Sequence, residues 1–374
     1  MLDAIKNIFK INLGVKKTER VLVFTDRINK TDTYDESDID RREKLRCLAI
    51  FTAETGKTFC KQVLFHEYPE LPGHGSEPPE EIWELAFGKK TVDLLEKKHL
   101  LQPILNKKAD SNILRQAEEI IFKNRKDAVN CIIALSNYST SHTRFRDFIT
   151  GICGCRYASM PLFEVSMLEG AMNVDWKALE IRTLKLAKIV NQAENVEIRT
   201  SNGTNLFLSK KGRKALADTG ILTKKGAFSN LPAGEVFLAP VEGSSYGELI
   251  IEWAPTRQLK SPIKLKIEKG NVVQISGKDE YVKYLEKKFE ENSLNRNIAE
   301  LGIGTNNSAK RPDNILESEK ILGTIHIALG DNSSFGGEIS TPFHQDFVFF
   351  KPSVKLIYKD GSKKQILKNG ELLI

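Results

Sequence analysis

Residues 20–26, RVLVFTD, decide the fold of the first half of the chain. Four apolar residues followed by polar ones are typical of a parallel strand that is buried on both faces. Similar runs occur at residues 62–65 and 129–135 (VNCIIAL). Helical patterns lie between and after the strands, at residues 37–56, 82–105 and 109–122. Strands that alternate with helices predict βαβ units, so we expect an α/β domain with a mainly parallel sheet.

The second half of the chain has a different pattern. A helical stretch at residues 163–195 is followed by short β segments, which are separated by Asn-Gly, Lys-Gly and Ser-Gly turn signals. A β meander is predicted at residues 348–373. The length of 374 residues is typical of two domains. We therefore predict an α/β domain at residues 1–185 and an α+β, β-rich domain at residues 186–374.

Composition excludes several classes of protein. Hydrophobic residues make up 40% and charged residues 28%, as in an ordinary globular protein. A run of 18 or more apolar residues, which a membrane helix needs, does not occur in the sequence. The net charge of +7 is weak support for nucleic-acid binding, and we expect neither a nucleic-acid nor a membrane partner. The five scattered cysteines fit a reducing compartment, so we expect a cytoplasmic protein.

Five acidic and histidine residues of the second half stand in apolar or glycine-rich surroundings. Glu235 lies in NLPAGEVFLAP, Glu300 precedes LGIG, and His326 lies in GTIHIALG. His344 and Asp346 are two residues apart, so on a strand both side chains point to the same side. Taken singly, His326 could be a core histidine and Glu235 a charge on an edge strand. His344 and Asp346 could belong to a common surface tripeptide.

Together the five residues form a mixed nitrogen and oxygen ligand set. Such a set suits Zn²⁺, Co²⁺ or Mn²⁺, and its size allows two ions that share a carboxylate. The residues by themselves therefore leave both a metal site and structural roles open.

Five stretches of the second half resemble the metal-dependent aminopeptidase family typified by aminopeptidases T and S. The stretches are GTNLFLSKKGR (203–213), NLPAGEVFLAP (230–240), AELGIGTN (299–306), EKILGTIHIALG (319–330) and HQD (344–346). The resemblance implies two divalent ions, Zn, Co or Mn, with Glu300 as the bridging ligand. Carried over residue by residue, the ligands it implies are Glu235, Glu300, His326, His344 and Asp346.

This resemblance implies an enzyme that removes N-terminal residues from peptides with a metal-activated water, and it implies a homodimer. Glu235 is the candidate for moving a proton to the leaving amine, and Glu338 is a second candidate by its position in the sequence. The family places a tyrosine seven residues after the strand histidine, where this chain has Ser333. The departure weakens the expected reaction but not the expected ligands.

Two other functions are compatible with the same ligands. The set is also found in a relative, 2,5-dihydroxypyridine 5,6-dioxygenase, which uses iron to open an aromatic ring. Two histidines and a carboxylate are what a non-heme Fe(II) site needs, so the fold alone does not decide the chemistry. The third alternative is a catalytically silent protein that binds metal or peptide.

One further histidine is a candidate for substrate binding. His142 follows the third predicted strand of the first half, in the sequence STSHT. Open α/β sheets bind ligands at the carboxyl ends of their strands, and the segment also resembles its counterpart in smaller members of the family. We expect His142 to contact substrate or to lie at an exposed helix start, with Ser141 as the helix cap.

Overall fold

The computed structural model of the chain describes residues 1–29 and 34–374. Its α-helices are α1 (Leu2–Asn7), α2 (Glu36–Gly56), α3 (Glu80–Phe87), α4 (Lys89–Lys97), α5 (Leu101–Leu105), α6 (Ser111–Asn124), α7 (Arg144–Gly151), α8 (Trp176–Asn191), α9 (Tyr281–Glu291) and α10 (Ile315–Ser318). Short helical turns of other types cover Ile8–Asn12, Arg125–Asp127, Val165–Leu168, Ser293–Arg296 and Ser333–Phe335.

The β-strands belong to three sheets. They are β1 (Arg20–Arg27), β2 (Gln62–Pro69), β3 (Cys131–Ala134), β4 (Arg156–Ser159), β5 (Asn195–Arg199), β6 (Asn205–Ser209), β7 (Leu216–Asp218), β8 (Phe228–Asn230), β9 (Glu235–Leu238), β10 (Tyr246–Ala254), β11 (Arg257–Glu268), β12 (Asn271–Ser276), β13 (Ile298–Gly304), β14 (Ile325–Gly330), β15 (His344–Phe349), β16 (Ser353–Ile357), β17 (Lys363–Lys368) and β18 (Glu371–Leu372).

The chain divides into two compact units. Unit 1 consists of Met1–Asn173 and Gly220–Pro232, and unit 2 consists of Val174–Thr219 and Ala233–Ile374. In this division α8 belongs to unit 2, whereas the domain boundary predicted at residue 185 falls inside that helix. The strand β8 returns to unit 1 although it follows β5 to β7 in the sequence.

Unit 1 is built on a parallel sheet with the strand order β2-β1-β3-β4-β8. The apolar residues 21–24 of β1 are completely buried, which is why this strand is a continuous apolar run. Aromatic rings fill the core beside the sheet: Trp83 lies 5.1 Å from Phe87 and 5.5 Å from Phe145 between ring centroids. Such pairs stabilise the core beyond the area that they bury.

Unit 2 contains two antiparallel sheets. One has the order β12-β11-β10-β6-β5-β16-β17-β18, and the other has the order β15-β14-β13-β9-β7. Apolar residues of both sheets, such as Leu249 and Ile327, lie in one hydrophobic core, to which α8 and α9 contribute Leu186 and Phe289. We call the sheet formed by β15, β14, β13, β9 and β7 the site sheet.

The predicted fold class is confirmed, since unit 1 has an α/β architecture with a parallel sheet and unit 2 is β-rich. Two predicted helices are wrong in extent. The helix predicted at residues 82–105 is three helices, because Gly88 has a φ of 89° and ends the first of them. The helix predicted at residues 163–195 begins only at Trp176, where the Asp175 side chain accepts hydrogen bonds from the backbone N–H groups of Lys177 and Ala178.

Among residues 1–29 and 34–374, no helix is long and apolar enough to cross a membrane.

Candidate metal centre

The site sheet separates an apolar face from a polar face by simple strand alternation. On β13, Leu301 and Ile303 lie in the core of unit 2, so the residues between and beside them point to the opposite face. Glu300 is one of these residues. On β14, His326 alternates in the same way with the core residues on either side of it. The polar face of the site sheet therefore carries the side chains that alternate with the core residues, among them Glu300 and His326.

Small residues on the polar face leave room for the ligand candidates. Gly302 lies opposite His326 in the register of β13 and β14, and a Cβ at position 302 would lie only 1.9 Å from the His326 ring. Ala328 lies opposite Asp346, and Gly330 lies opposite His344. Each ligand candidate on β14 or β15 thus has glycine or alanine as a cross-strand neighbour on one side.

The structure brings together all five residues that the sequence predicts as ligands. Nε2 of His326 lies 3.3 Å from Oε1 of Glu300 and 3.5 Å from Oε2 of Glu235. Nε2 of His344 lies 3.5 Å from Oε2 of Glu300 and 3.5 Å from Oδ2 of Asp346. The Glu300 carboxylate therefore lies between the two imidazoles.

The backbone orients the ring of His344. Nδ1 of this ring lies 2.7 Å from the backbone oxygen of Asp331, which can only accept a hydrogen bond, so Nδ1 carries a proton. Nε2 then faces Glu300 and Asp346. A histidine that donates its far N–H to a carbonyl is the usual arrangement of a metal ligand, because that bond fixes both the tautomer and the ring orientation.

Two overlapping groups of side chains have the spacing of a cation site. Glu300, His344 and Asp346 form one group, and Glu319, His326 and Asp346 form the other; the ligand atoms within each group lie within 4.8 Å of one another. Asp346 belongs to both groups. The nearness of two such groups agrees with a compact site for one ion or for a pair.

Buried polar atoms without hydrogen-bond partners indicate whether the residues of this cluster fit a metal ion. Oε2 of Glu235 and Oδ1 of Asp346 are buried and have no hydrogen-bond partner in the described part of the chain, and the same holds for Nδ1 of His326. A buried polar atom without a partner costs about 1–3 kcal/mol, and more when it is charged. A cation held among these side chains would satisfy the carboxylate oxygens, so the residues fit a divalent ion.

The electrostatics of the cluster also favour added positive charge. Burial lowers the pKa of His326, but the hydrogen bond to Glu300 and the charges of Glu235 and Asp346 outweigh it and raise the pKa to about 9. Burial likewise lowers the pKa of His344, but Asp346 and Glu300 raise it to about 10. Burial raises the pKa of Asp346, but the neighbouring His344 holds it well below its ordinary value. The carboxylates therefore retain protons on the rings, and a metal ion would compete with those protons.

Sequence reasoning missed two members of the cluster, Glu319 and Lys320. Lys320 is only 1% exposed, and its Nζ lies 2.6 Å from Oε1 of Glu235 and 2.7 Å from Oε1 of Glu319. The signal in the sequence was a Glu-Lys pair directly before the apolar strand ILGTIHIALG. A charged pair in that position is typical of an exposed helix end. Its burial depends on contacts with distant parts of the chain, such as Glu235.

Ser333 and Glu338 do not take part in the cluster. Ser333 is exposed, and its hydroxyl donates to the Asp331 carboxylate at 3.2 Å. The side chain of Glu338 is 81% exposed and lies 3.6 Å from Nη2 of Arg213. The aromatic ring near the site belongs instead to Phe335, whose centroid lies 6.0 Å from that of His344.

His142 lies in unit 1, while the five ligand candidates lie in unit 2. It is exposed, in the turn that precedes α7. The cap of α7 is Thr143, whose side chain accepts a hydrogen bond from the backbone N–H of Arg146, so the prediction of Ser141 as the cap is wrong. The hydroxyl of Ser141 pairs with that of Ser159 at 2.9 Å. A substrate contact of His142 stays a prediction.

Similarity to known proteins identifies the family of this chain. Residues 168–374, more than half of the chain, match the family of 2,5-dihydroxypyridine 5,6-dioxygenase, NicX. The chain belongs to the NicX family. A curated member, 2,5-dihydroxypyridine 5,6-dioxygenase of Pseudomonas putida, is 24% identical to the chain over 181 residues, which are 44% of this chain and 51% of that protein. The chain thus spans about half the length of the curated relative in this alignment.

Two solved structures share the fold. The structure of 2,5-dihydroxypyridine dioxygenase from Pseudomonas putida has a TM-score of 0.67 at 17% identity, over 100% of this chain and 96% of that one. Aminopeptidase T from Thermus thermophilus, AmpT, has a TM-score of 0.56 at 14% identity, over 100% of this chain and 98% of that one. At these identities the likeness shows the fold alone.

Membership of the NicX family corrects the predicted function. The fold similarity to aminopeptidase T is real, but the prediction of an aminopeptidase, a hydrolase, is wrong, because residues 168–374 match a dioxygenase family. The sequence motifs indicated the fold, and they did not separate hydrolysis from oxygen chemistry.

Proposed function

We propose that this chain is a non-heme iron(II) dioxygenase that opens the ring of a dihydroxylated pyridine. The observation that carries the proposal is the approach of His326, His344 and Asp346 on one face of the site sheet, in a chain of the NicX family. Two histidines and one carboxylate are the ligand set with which non-heme iron oxygenases hold their metal.

The assignment of the three ligands follows from the two overlapping groups. Asp346 belongs to both groups, and each group brings one histidine. Of the acids that remain, Glu319 is paired with Lys320 at 2.7 Å, whereas Glu300 lies between the two imidazoles. We assign His326, His344 and Asp346 as iron ligands and Glu300 as the carboxylate that contacts both rings.

Iron(II) supplies the one-electron chemistry by which dioxygen reacts with an electron-rich aromatic ring. The protein's own part is to hold and orient the groups around that reaction. The Asp331 carbonyl keeps the His344 proton on Nδ1, so that Nε2 is available to the metal. Burial raises the pKa of Glu300, which places a group that can hold a proton within 3.5 Å of both rings.

An aromatic wall beside His344 suits a planar substrate. The ring of Phe335 is perpendicular to that of His344, with 6.0 Å between the centroids, and it contacts Phe237 edge to face at 5.7 Å. Phe237 lies on the polar face of the site sheet, directly opposite Gly302 in the register of β9 and β13. Aromatic side chains stack against planar rings and exclude water, which favours a heteroaromatic substrate over a peptide.

Oxygen uptake with 2,5-dihydroxypyridine tests this proposal. The chain is stripped of metal, reloaded with Fe(II) without oxygen, and mixed with the pyridine in air-saturated buffer at an oxygen electrode. We expect one dioxygen to be consumed for each pyridine, together with loss of the pyridine absorbance. Asp346→Asn should abolish uptake because it removes the anionic ligand.

A matched peptidase assay is a second test of the proposal. An aminoacyl anilide is incubated with protein that carries Zn²⁺ or Co²⁺, and we expect no release of the aniline. Turnover of the anilide without oxygen uptake would contradict the proposal, and absence of both activities would indicate a protein that binds metal without catalysis.

A further inference from the structure

The segment between α10 and β14 carries a buried ammonium group that the proposed reaction does not use. Lys320 follows α10, and its backbone is held at both ends: its N–H donates to the Glu317 carbonyl at 3.0 Å, and its carbonyl accepts from the N–H of Asn306 at 2.8 Å. The side chain is 1% exposed. Burial of an ammonium is costly unless it is paired, so a fixed position for Lys320 requires the carboxylates around it.

Two carboxylates bind this ammonium at hydrogen-bond distance. Nζ lies 2.6 Å from Oε1 of Glu235 and 2.7 Å from Oε1 of Glu319. Asp218, which lies opposite Glu235 in the register of β7 and β9, adds a third negative charge to the field around Nζ. An ammonium surrounded by acidic side chains in this way is in the position that a metal cation would otherwise favour.

Glu235 connects the ammonium to the candidate metal ligands. Its Oε1 is bound to Lys320, while its Oε2 lies 3.5 Å from Nε2 of His326 and has no hydrogen-bond partner among the residues that the structure describes. A carboxylate that binds one cation with each of its two oxygens is the bridging arrangement of a two-cation site. In Glu235 one oxygen is held by the ammonium of Lys320, and the other faces the candidate metal ligands.

We infer that Lys320 takes the place of a second metal ion, so that the site holds one divalent cation. A second ion beside Glu235 and Glu319 would share their carboxylates with the ammonium, and it would be repelled by the ammonium charge. The inference deepens the proposed function and rests on it for the identity of the ion.

The number of ions bound per chain tests the inference. The full chain is stripped with chelator, dialysed against Mn²⁺, and analysed for metal and protein, with binding followed by calorimetry. Lys320→Met keeps the length of the side chain and removes its charge. We expect one Mn²⁺ per chain in the unaltered protein and two in Lys320→Met, with the second ion at Glu235 and Glu319.

Two control variants separate this effect from a general loss of charge. Lys210→Met removes another buried ammonium, which donates to the Ala193 carbonyl at 3.0 Å outside the cluster, and it should leave the count at one. Lys320→Met combined with Glu235→Gln removes the ammonium and one oxygen ligand, and it should also bind one ion.

Two results would overturn the inference: two ions in the unaltered chain, or a folded Lys320→Met that binds only one. If Lys320→Met does not fold with or without Mn²⁺, the number of ions bound by the unaltered chain decides. One ion would support the inference, and two ions would contradict it. A chain that binds one ion but consumes no oxygen with the pyridine would contradict the proposed function and leave the count intact, so the two failures are distinguishable.

Discussion

Replacement of Gly302 by alanine would displace His326 while leaving the strands of the site sheet in place. A Cβ at position 302 would lie 1.9 Å from Cε1 and 2.0 Å from Nε2 of the His326 ring. Ordinary contact begins at 3.4 Å, so the ring must retreat by at least 3.4 − 1.9 = 1.5 Å. The backbone of Gly302 has no positive φ, so alanine itself is accepted there without strain.

The expected loss follows from the tolerance of a metal site. A histidine nitrogen binds its metal at about 2.0–2.1 Å, and ligands must be held to within about 0.5 Å. A displacement three times that tolerance removes His326 from the ligand set. We expect Gly302→Ala to weaken binding of the site's ion by about 100-fold or more, equivalent to about 2.7 kcal/mol.

Calorimetric titration of the stripped protein with Mn²⁺ measures this loss, and urea unfolding without metal checks the fold. Gly73→Ala is the matched control, because Gly73 also lacks a positive φ and has no atom within 4 Å of the added Cβ. It should bind metal like the unaltered chain. Unchanged affinity in a folded Gly302→Ala would refute the role of this glycine and the assignment of His326 as a ligand.

Two further predictions concern the aromatic wall and the pH dependence of stability. Phe335→Ala should raise the KM for 2,5-dihydroxypyridine about 10-fold, equivalent to about 1.4 kcal/mol, because it removes the ring beside His344. The metal content should not change. An unchanged KM would contradict this prediction. Hydrogen bonds from Arg257 and from the backbone hold the pKa of Asp279 well below its ordinary value of 3.8. Its stabilising effect is therefore present above that value and is lost as the pH falls below it. Urea titrations at pH 6 to 3 measure the difference in free energy of unfolding between the unaltered chain and Asp279→Asn. We expect this difference to shrink below about pH 4. A constant difference would contradict the lowered pKa of Asp279.

The strands that carry the ligand candidates could be predicted because their apolar residues alternate with those candidates. In TIHIALG, Ile325 and Ile327 face the core, so His326 must face the other way. The same reasoning placed His344 and Asp346 on one side of a strand. Local periodicity was therefore sufficient to identify the ligand candidates and the fold class.

The contacts that distinguish this site could not be predicted, because they join distant parts of the chain. Lys320 and Glu235 are 85 positions apart, and nothing local indicates that a lysine after a short helix is buried. The strand β8 joins the sheet of unit 1 from within the second half of the sequence. The reaction was mispredicted for another reason, since a fold shared with aminopeptidase T does not determine the chemistry of the site.

We propose that the site uses dioxygen and one iron to open a heteroaromatic ring. Turnover of 2,5-dihydroxypyridine under ¹⁸O₂ by the Fe(II)-loaded chain, with mass spectrometry of the product, tests this proposal. We expect a ring-opened product that contains both atoms of one dioxygen molecule. A product that takes its oxygen from water, or an unchanged pyridine in protein that holds one iron per chain, would contradict it.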